Sequence, residues 1–397
     1  MLCMLVPRGG ICSLTLGKSG GRMRIVIFGL TVSSSWGNGH ATLWRGMCRA
    51  LGSRGHDITF FERDVSYYAD TRDLHELPGG GRLVLYERFD DVRLQAASLC
   101  DGADLVLSTS FCPDGQEAAR LMLASRAAIK AFYDLDTPVT LRKLDAAEVV
   151  PYLPEGGLSA FDLVLSYTGG RALDELQRRL GARVVAPLYG WADATTHYPC
   201  PPVERYRADL SYLGTYAADR QDALERLFVE PARQLPGMRF LLGGAQYPEQ
   251  FPWTANTFFV RHMPPPEHPA FFCSSRLTLN VTRGSMASYG YCPSGRLFEA
   301  AACGVPVISD VWEGFDSFFS PGEEMLLARD AEDVRDALGR GCGELEQMGR
   351  RARARTLEEH SAEARATYLE EVCRSLPRGG AITSGEGGHV YETVGVA

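Results

Sequence analysis

The sequence predicts an α/β protein built from two doubly wound parallel-sheet domains in series. Three observations carry that reading. Apolar, β-branched runs such as "RIVIFGL" (24–30) and "ADLVLSTS" (103–110) are continuous rather than alternating, as strands buried on both faces require. Stretches with helical spacing separate them, which is the strand–helix–strand rhythm of a parallel sheet. A polar, Pro-rich stretch, "DATTHYPCPPVERYRADL", interrupts the rhythm at mid-chain, and the rhythm then starts again. At roughly 100–200 residues per domain, a chain of 397 residues fits two domains.

The elements follow in order. After "RIVIFGL" comes a Gly/Ser/Asn-rich loop, "TVSSSWGNGH". In "ATLWRGMCRALGSRG" Leu43, Trp44, Met47, Cys48 and Leu51 recur at helical spacing, with Gly55 as the stop. "HDITFFERD", "RLVLYE", "ADLVLSTS", "AIKAFYD", "FDLVLSYT" and "ARVVAP" are the further strands of the first domain. Beyond the linker, "DLSYLGTY", "MRFLLGGA", "NTFFVRHM", "RLTLNVT" and "VPVISD" are the strands of the second. The predicted organisation is an N-terminal extension over 1–22, disordered, with Met23 as the natural start. A first domain over 23–200, a second over 201–355, a final helix over 356–376 and a Gly-rich flexible tail over 377–397 follow.

Composition narrows the function. A net charge of −8 argues against nucleic acid as the main partner, since phosphate binding needs a basic face. The eleven cysteines form no C-x-x-C pair, which reads as reduced thiols in a cytoplasmic protein. No apolar run reaches the ~20 residues of a membrane span. "GNG" in the first loop fails as a dinucleotide fingerprint, because Thr42 stands where the third glycine is needed.

Chemistry concentrates in "PSGRLFEAAACGVPVISD" (293–310). Pro293 suits the first helical position, while Gly304 and Pro306 end the helix, giving roughly 293–303. Ser294 and Gly295 leave backbone N–H groups at the positive end of the helix dipole, an arrangement suited to phosphate. Arg296 in the first turn is unfavourable beside the dipole and makes sense if it meets an anionic ligand. The plain alternative is an ordinary helix with an exposed Arg and Glu.

"RLFEAAACGVPVISD" resembles the second-domain signature of glycosyltransferases with two facing Rossmann-like domains, the GT-B fold. "LGTYAADRQDALERLFVEPARQLPG", "PPPEHPAFFCSSRLTLNVTR" and "WEGFDSFFSPGEEMLLA" resemble its CgeB-type (spore maturation protein) branch. The resemblance implies a metal-independent transfer of a sugar from a nucleotide-diphosphate sugar, held by the second domain, to an acceptor hydroxyl held by the first. It implies no cofactor beyond that co-substrate, a final helix that crosses back to the first domain, and Glu299 on the ribose hydroxyls. Relatives carry a second carboxylate eight residues before this Glu, where the present chain has Tyr291.

Candidate donor contacts are Gly214, Thr215, Arg220, His262, Arg283, Tyr291, Ser294, Gly295, Arg296 and Glu299, with Met263 beside His262. Arg220 reads equally well as a solvated helix-start residue, and Arg283, which ends a strand, as one that stays out of the cleft. On the acceptor side are Trp36, Gly37, Asn38, Gly39, Asp134 and Asp136, with Glu62 and Asp64 as further contacts. His40, at a helix entrance, is the candidate general base, against a helix-edge histidine. Asp134-x-Asp136 hints at a metal, but it lies in the domain opposite the donor signature, so no metal is assigned. A sugar-nucleotide epimerase and a non-catalytic sugar-nucleotide binder are the alternatives, and a nicotinamide oxidoreductase ranks last.

Overall fold

The computed structural model describes residues 21–376. The extension expected over 1–22, but for its last two residues, and the tail expected over 377–397 lie outside the described residues.

The first half runs β1 (Arg24–Gly29), α1 (Gly39–Ser53), β2 (Asp57–Arg63), α2 (Ser66–Ala69), β3 (Arg82–Tyr86), α3 (Phe89–Asp101), β4 (Leu105–Thr109), α4 (Gly115–Ala124), β5 (Ile129–Asp134), α5 (Thr137–Asp145), β6 (Leu163–Ser166), α6 (Arg171–Leu180) and β7 (Val185–Pro187). The second runs β8 (Ala208–Leu213), α7 (Gln221–Leu224), α8 (Glu230–Gln234), β9 (Phe240–Gly244), β10 (Thr257–Arg261), α9 (His268–Cys273), β11 (Ser275–Asn280), α10 (Gly284–Ala287), α11 (Gly295–Ala302), β12 (Val307–Asp310), β13 (Leu326–Ala328), α12 (Ala331–Gly339), α13 (Cys342–Glu359) and α14 (Ala362–Ser375).

Two parallel sheets result, in the orders β3-β2-β1-β4-β5-β6-β7 and β10-β9-β8-β11-β12-β13. Each has apolar clusters on both faces, which is why the strands read as unbroken apolar runs. In each sheet the winding direction reverses between the first and fourth strands, β1/β4 and β8/β11. A crevice opens at that reversal outside the strand ends, and ligands of such sheets bind there.

Two predicted helices are corrected. The helix expected from 293 begins at Gly295: Ser294 is extended (φ −64°, ψ 139°) and serves as N-cap, with Pro293 outside. The helix expected over 356–376 is two helices, α13 and α14, broken at His360–Ser361. Ser361 caps the second by accepting from the Ala364 N–H at 3.2 Å. The three-residue edge strand β13 is a further element that the apolar runs did not reveal.

The chain crosses between the domains twice, side by side. Ala192 N–H donates to His360 O and Ala362 N–H donates to Ala192 O, both at 2.9 Å. After the second crossing α14 lies on α1, with Arg54 Nε donating to Glu370 Oε1 at 2.6 Å and His56 Nε2 2.8 Å from the same oxygen. The described cysteines are free, and no described helix is long and apolar enough to cross a membrane.

Candidate functional site

The C-terminal ends of the two sheets face each other across a cleft of about 450 Å³. Its second-domain wall comes from the loops after β8 and β11 and from the start of α11. Its first-domain wall comes from the loops after β1, β4 and β5 and the start of α1.

Ser294, Gly295 and Arg296 line the cleft, and no side chain caps their helix end. The orphan first-turn N–H groups therefore face the cavity. One turn further, Glu299 is 2% exposed yet still lines the cleft. Burial alone would push its carboxyl up. The Arg296 guanidinium, paired and hydrogen-bonded with it, outweighs that and brings it to about 2. Arg296 thus differs from expectation: its guanidinium turns back along the helix onto Glu299 Oε2, so the anion it meets first is a side chain of its own helix.

His197 and His268 escaped the sequence reading. His268 Nε2 lies 3.1 Å from Met263 O, a carbonyl that must accept, so the proton sits on Nε2. Its Nδ1 then accepts from His197 Nε2–H at 3.1 Å and from Arg296 Nη1 at 3.3 Å. Burial lowers both imidazole pKa values, His268 the further because Arg296 is adjacent, so both rings are neutral. Glu299 Oε2 lies 3.8 Å from each ring, a spacing that could suit a metal ion. The guanidinium nitrogen of Arg296 stands among these atoms and supplies the positive charge that balances the carboxylate. His197 lies in the Pro-rich linker and His268 opens α9. No sequence spacing relates them to Glu299.

The remaining donor-side candidates divide. Gly214, Thr215, Arg220 and Arg283 line the cleft. Gly214 has to be glycine, since a Cβ there would meet the Tyr212 hydroxyl at 2.6 Å. Arg220 donates from Nη1 to Thr215 O at 2.9 Å, while its buried Nε has no partner. Arg283 lies 3.3 Å from Asp219, which neutralises it in part. His262 does not line the cleft. At φ 55°, its ring packs tilted against that of Trp36 of the other domain, with centroids 4.2 Å apart. Met263 is buried, its carbonyl being the anchor of His268.

In the first-domain wall, Gly37, Asn38, Gly39, His40 and Asp136 line the cleft. Asn38 is the cap of α1, its Oδ1 accepting from His40 N–H at 3.1 Å and its Nδ2 donating to Thr31 O at 3.0 Å. His40 Nε2 lies 3.7 Å from Asp136 Oδ2, and its Nδ1 is buried without a partner. Four expected contacts are placed elsewhere. Trp36 is engaged with His262. Asp134 is fully buried with its Oδ2 unpartnered, and burial raises it to about 6. Glu62 is used up holding the β1 loop, accepting from Thr31 Oγ1, the Val32 and Ser33 N–H groups and Ser33 Oγ. Asp64 pairs with Arg72 at 2.7 Å.

Tyr291 also leaves the cleft. Its backbone is left-handed (φ 46°), and its ring is held between Gly170 of the first domain and Gly314 of the second, where a Cβ would approach it to 2.7 and 2.5 Å. Gly169 N–H donates to Tyr291 O at 2.9 Å and Thr168 Oγ1 donates to Cys292 Sγ at 3.1 Å. The residue at the position of the relatives' first carboxylate is thus part of a latch between the domains.

A family model described as glycosyl transferase-like matches residues 220–371. Among curated proteins, no sequence matches. The chain is similar in structure to a sucrose-phosphate synthase from Thermosynechococcus elongatus (17% identity, 89% of this chain and 99% of that one, TM-score 0.65). It is similar also to HepE of Anabaena in complex with UDP and glucose (13% identity, 89% and 100%, TM-score 0.63). A third is T4 phage BGT in complex with its UDP-glucose substrate (11% identity, 88% and 99%, TM-score 0.56). The fold is GT-B: two facing Rossmann-like parallel-sheet domains.

Proposed function

We propose that the protein is a glycosyltransferase of hexosyltransferase type that uses a nucleotide-diphosphate sugar, needs no metal and belongs to the CgeB-type branch. The observation that carries this reading is the pairing on α11. A free helix N-terminus opens into the cleft, and a buried, ionised Glu299 stands four residues on, about 6 Å along the axis at ~1.5 Å per residue. That span suits a 5′-diphosphate at the helix end and ribose hydroxyls at the carboxylate. The solved structures of HepE and BGT with UDP-containing ligands, and the family match over the second domain, support the same reading.

In this mechanism the Ser294–Arg296 end of α11 and Arg220 hold the diphosphate and stabilise the charge it gains on leaving. These groups do the work a cation would otherwise do. The acceptor oxygen forms a bond to the anomeric carbon. The bond from that carbon to the diphosphate oxygen breaks, its electron pair leaving with the diphosphate. The acceptor proton passes to His40 Nε2, and Asp136 Oδ2, 3.7 Å away, stabilises the imidazolium. The free thiols suit a cytoplasmic location.

The test is binding and turnover of UDP-, GDP- and dTDP-sugars in EDTA, by calorimetry and release of nucleoside diphosphate. No binding at millimolar donor would sink the reading. The place of Tyr291 outside the cleft favours one second reading, a sugar-nucleotide binder without turnover, and binding with no release against any acceptor would establish it instead.

A further inference from the structure

The two walls of the cleft differ sharply in chemistry, and the difference bears on the acceptor. The second-domain wall carries Arg220, Arg283, Arg296 and Glu299. The first-domain wall is formed by Leu30, Leu43, Tyr68, Phe111, Leu135 and Tyr167 around the His40–Asp136 pair. Its other polar side-chain groups are the Tyr68 and Tyr167 hydroxyls, each on a largely apolar ring, and Asn38, which has committed both its oxygen and its nitrogen to the protein. The nearby arginines are also engaged. Arg45 is held bidentate by Asp73, Arg72 donates to Asp64 and Ser33, and Arg63 pairs with Asp114. Phe111 sits at φ 62°, a strained backbone for an aromatic residue, with its ring 5.2 Å from that of Tyr152.

Such a wall cannot serve a sugar acceptor well. A hexose buried there would lose water from several hydroxyls and find one His–Asp pair and two phenol hydroxyls in exchange, and each hydroxyl left unpaired costs affinity. A phosphorylated acceptor would meet Asp136 on a wall that carries no Arg or Lys among the described residues. The wall does suit a molecule that is apolar over most of its surface and offers one hydroxyl.

From this geometry we infer that the acceptor is a neutral, largely apolar or aromatic alcohol whose single reacting hydroxyl addresses His40 and Asp136. The inference rests on the glycosyltransferase reading. It concerns the first-domain wall, whereas that reading stands on the second, so the two can fail separately.

The experiment measures acceptor and donor binding independently on the full chain. Ligand-observed NMR and fluorescence titration follow 7-hydroxy-4-methylcoumarin and geraniol against glucose, cellobiose and glucose 1-phosphate, and calorimetry follows UDP, GDP and dTDP. The apolar alcohols should bind at least about tenfold more tightly than the sugars. Phe111→Ala and, as a second exposed-side variant, Tyr68→Ala should each weaken them by about tenfold with nucleotide affinity unchanged. With donor present, mass spectrometry should find the sugar on the alcohol. Tighter binding of, or faster transfer to, glucose, cellobiose or glucose 1-phosphate would overturn the inference. So would nucleotide binding with no binding of either alcohol, an outcome that leaves the glycosyltransferase reading intact. Binding of the alcohols without any nucleotide would uphold the apolar site and overturn that reading.

Discussion

Glu299→Gln separates the two ends of the proposed donor site. The substitution keeps shape and removes charge from a group 2% exposed. If Glu299 accepts ribose hydroxyls, each charge-assisted bond is worth about 1.5–3 kcal/mol. The amide oxygen can still accept, so the loss falls toward the lower part of that range, about 10- to 100-fold in Kd. Stability should suffer less than the ~3–5 kcal/mol of a broken buried pair, because the Arg296 side chain is 27% exposed and can turn to water. The assay is calorimetry with the best-binding nucleoside diphosphate and with pyrophosphate, which has no ribose. Only the nucleotide should weaken. Unchanged nucleotide affinity would refute the ribose role, and an equal loss for pyrophosphate would show that the variant had disturbed the helix N-terminus.

Arg220→Ala should give the opposite pattern, weakening nucleotide and pyrophosphate alike by roughly 10- to 100-fold, because its unpartnered Nε is the free donor near the phosphate position; a loss confined to the nucleotide would contradict this. His40→Ala or Asp136→Asn should lower kcat by about 10²–10⁴ with donor Kd unchanged, and a change in Kd alone would remove the pair from the chemistry. Acid should destabilise the fold before the usual carboxylate range. Unfolded histidine takes up a proton below about 6.5, whereas burial keeps His197, His268 and His360 neutral, His360 to about 3. Each such group removes up to about 1.4 kcal/mol per pH unit below that point. Asp134, raised to about 6, acts in the opposite sense and offsets one of them between about 6 and 4. The net effect is a fall in denaturant midpoint from pH 6.5 to 4.5, and a flat profile there would show that the histidines take up protons in the folded state.

The strands were legible because a both-faces-buried strand writes itself as an unbroken apolar run, and a run such as Leu163–Ser166 needs no knowledge of its partners. Leu326–Ala328 fell below that signal, being three residues at a sheet edge beside "GEEM". "TLEEHSAEARATYLEEV" has helical composition throughout, and its break at Ser361 is set by the bond to Ala192, some 170 residues earlier. Of the site, the place of α11 and of Glu299 was visible because Pro293, Gly295 and Glu299 lie within one short stretch, although the helix start was read two residues early. The place of Tyr291 was not, since it depends on glycines 170 and 314 closing on one ring. The His197–His268 pair was invisible for the same reason: three separate segments build it. Glu62 and Asp134 show the limit of reading carboxylates at strand ends as ligand contacts. Loops that must be held still use the same residue type, and what separates the two uses is whether the carboxylate lines the cleft, as Glu299 does, or is taken up by its own loop, as Glu62 is.

The side-by-side crossings at Ala192 and Ser361 make the first domain discontinuous in sequence, and this shapes its birth on the ribosome. Ala362, Ala366, Leu369 and Cys373 belong to the same apolar cluster as Trp44, Met47 and Leu51 of α1. When Trp191 has been made, the first sheet is complete but this face of α1 is bare, and roughly 180 residues remain before α14 can cover it. At ~5–20 residues per second that interval lasts about 10–40 s. The nascent chain therefore presents a ready hydrophobic surface to chaperones throughout synthesis of the second domain. A message truncated between β13 and the last helix would yield both sheets and an aggregation-prone first domain.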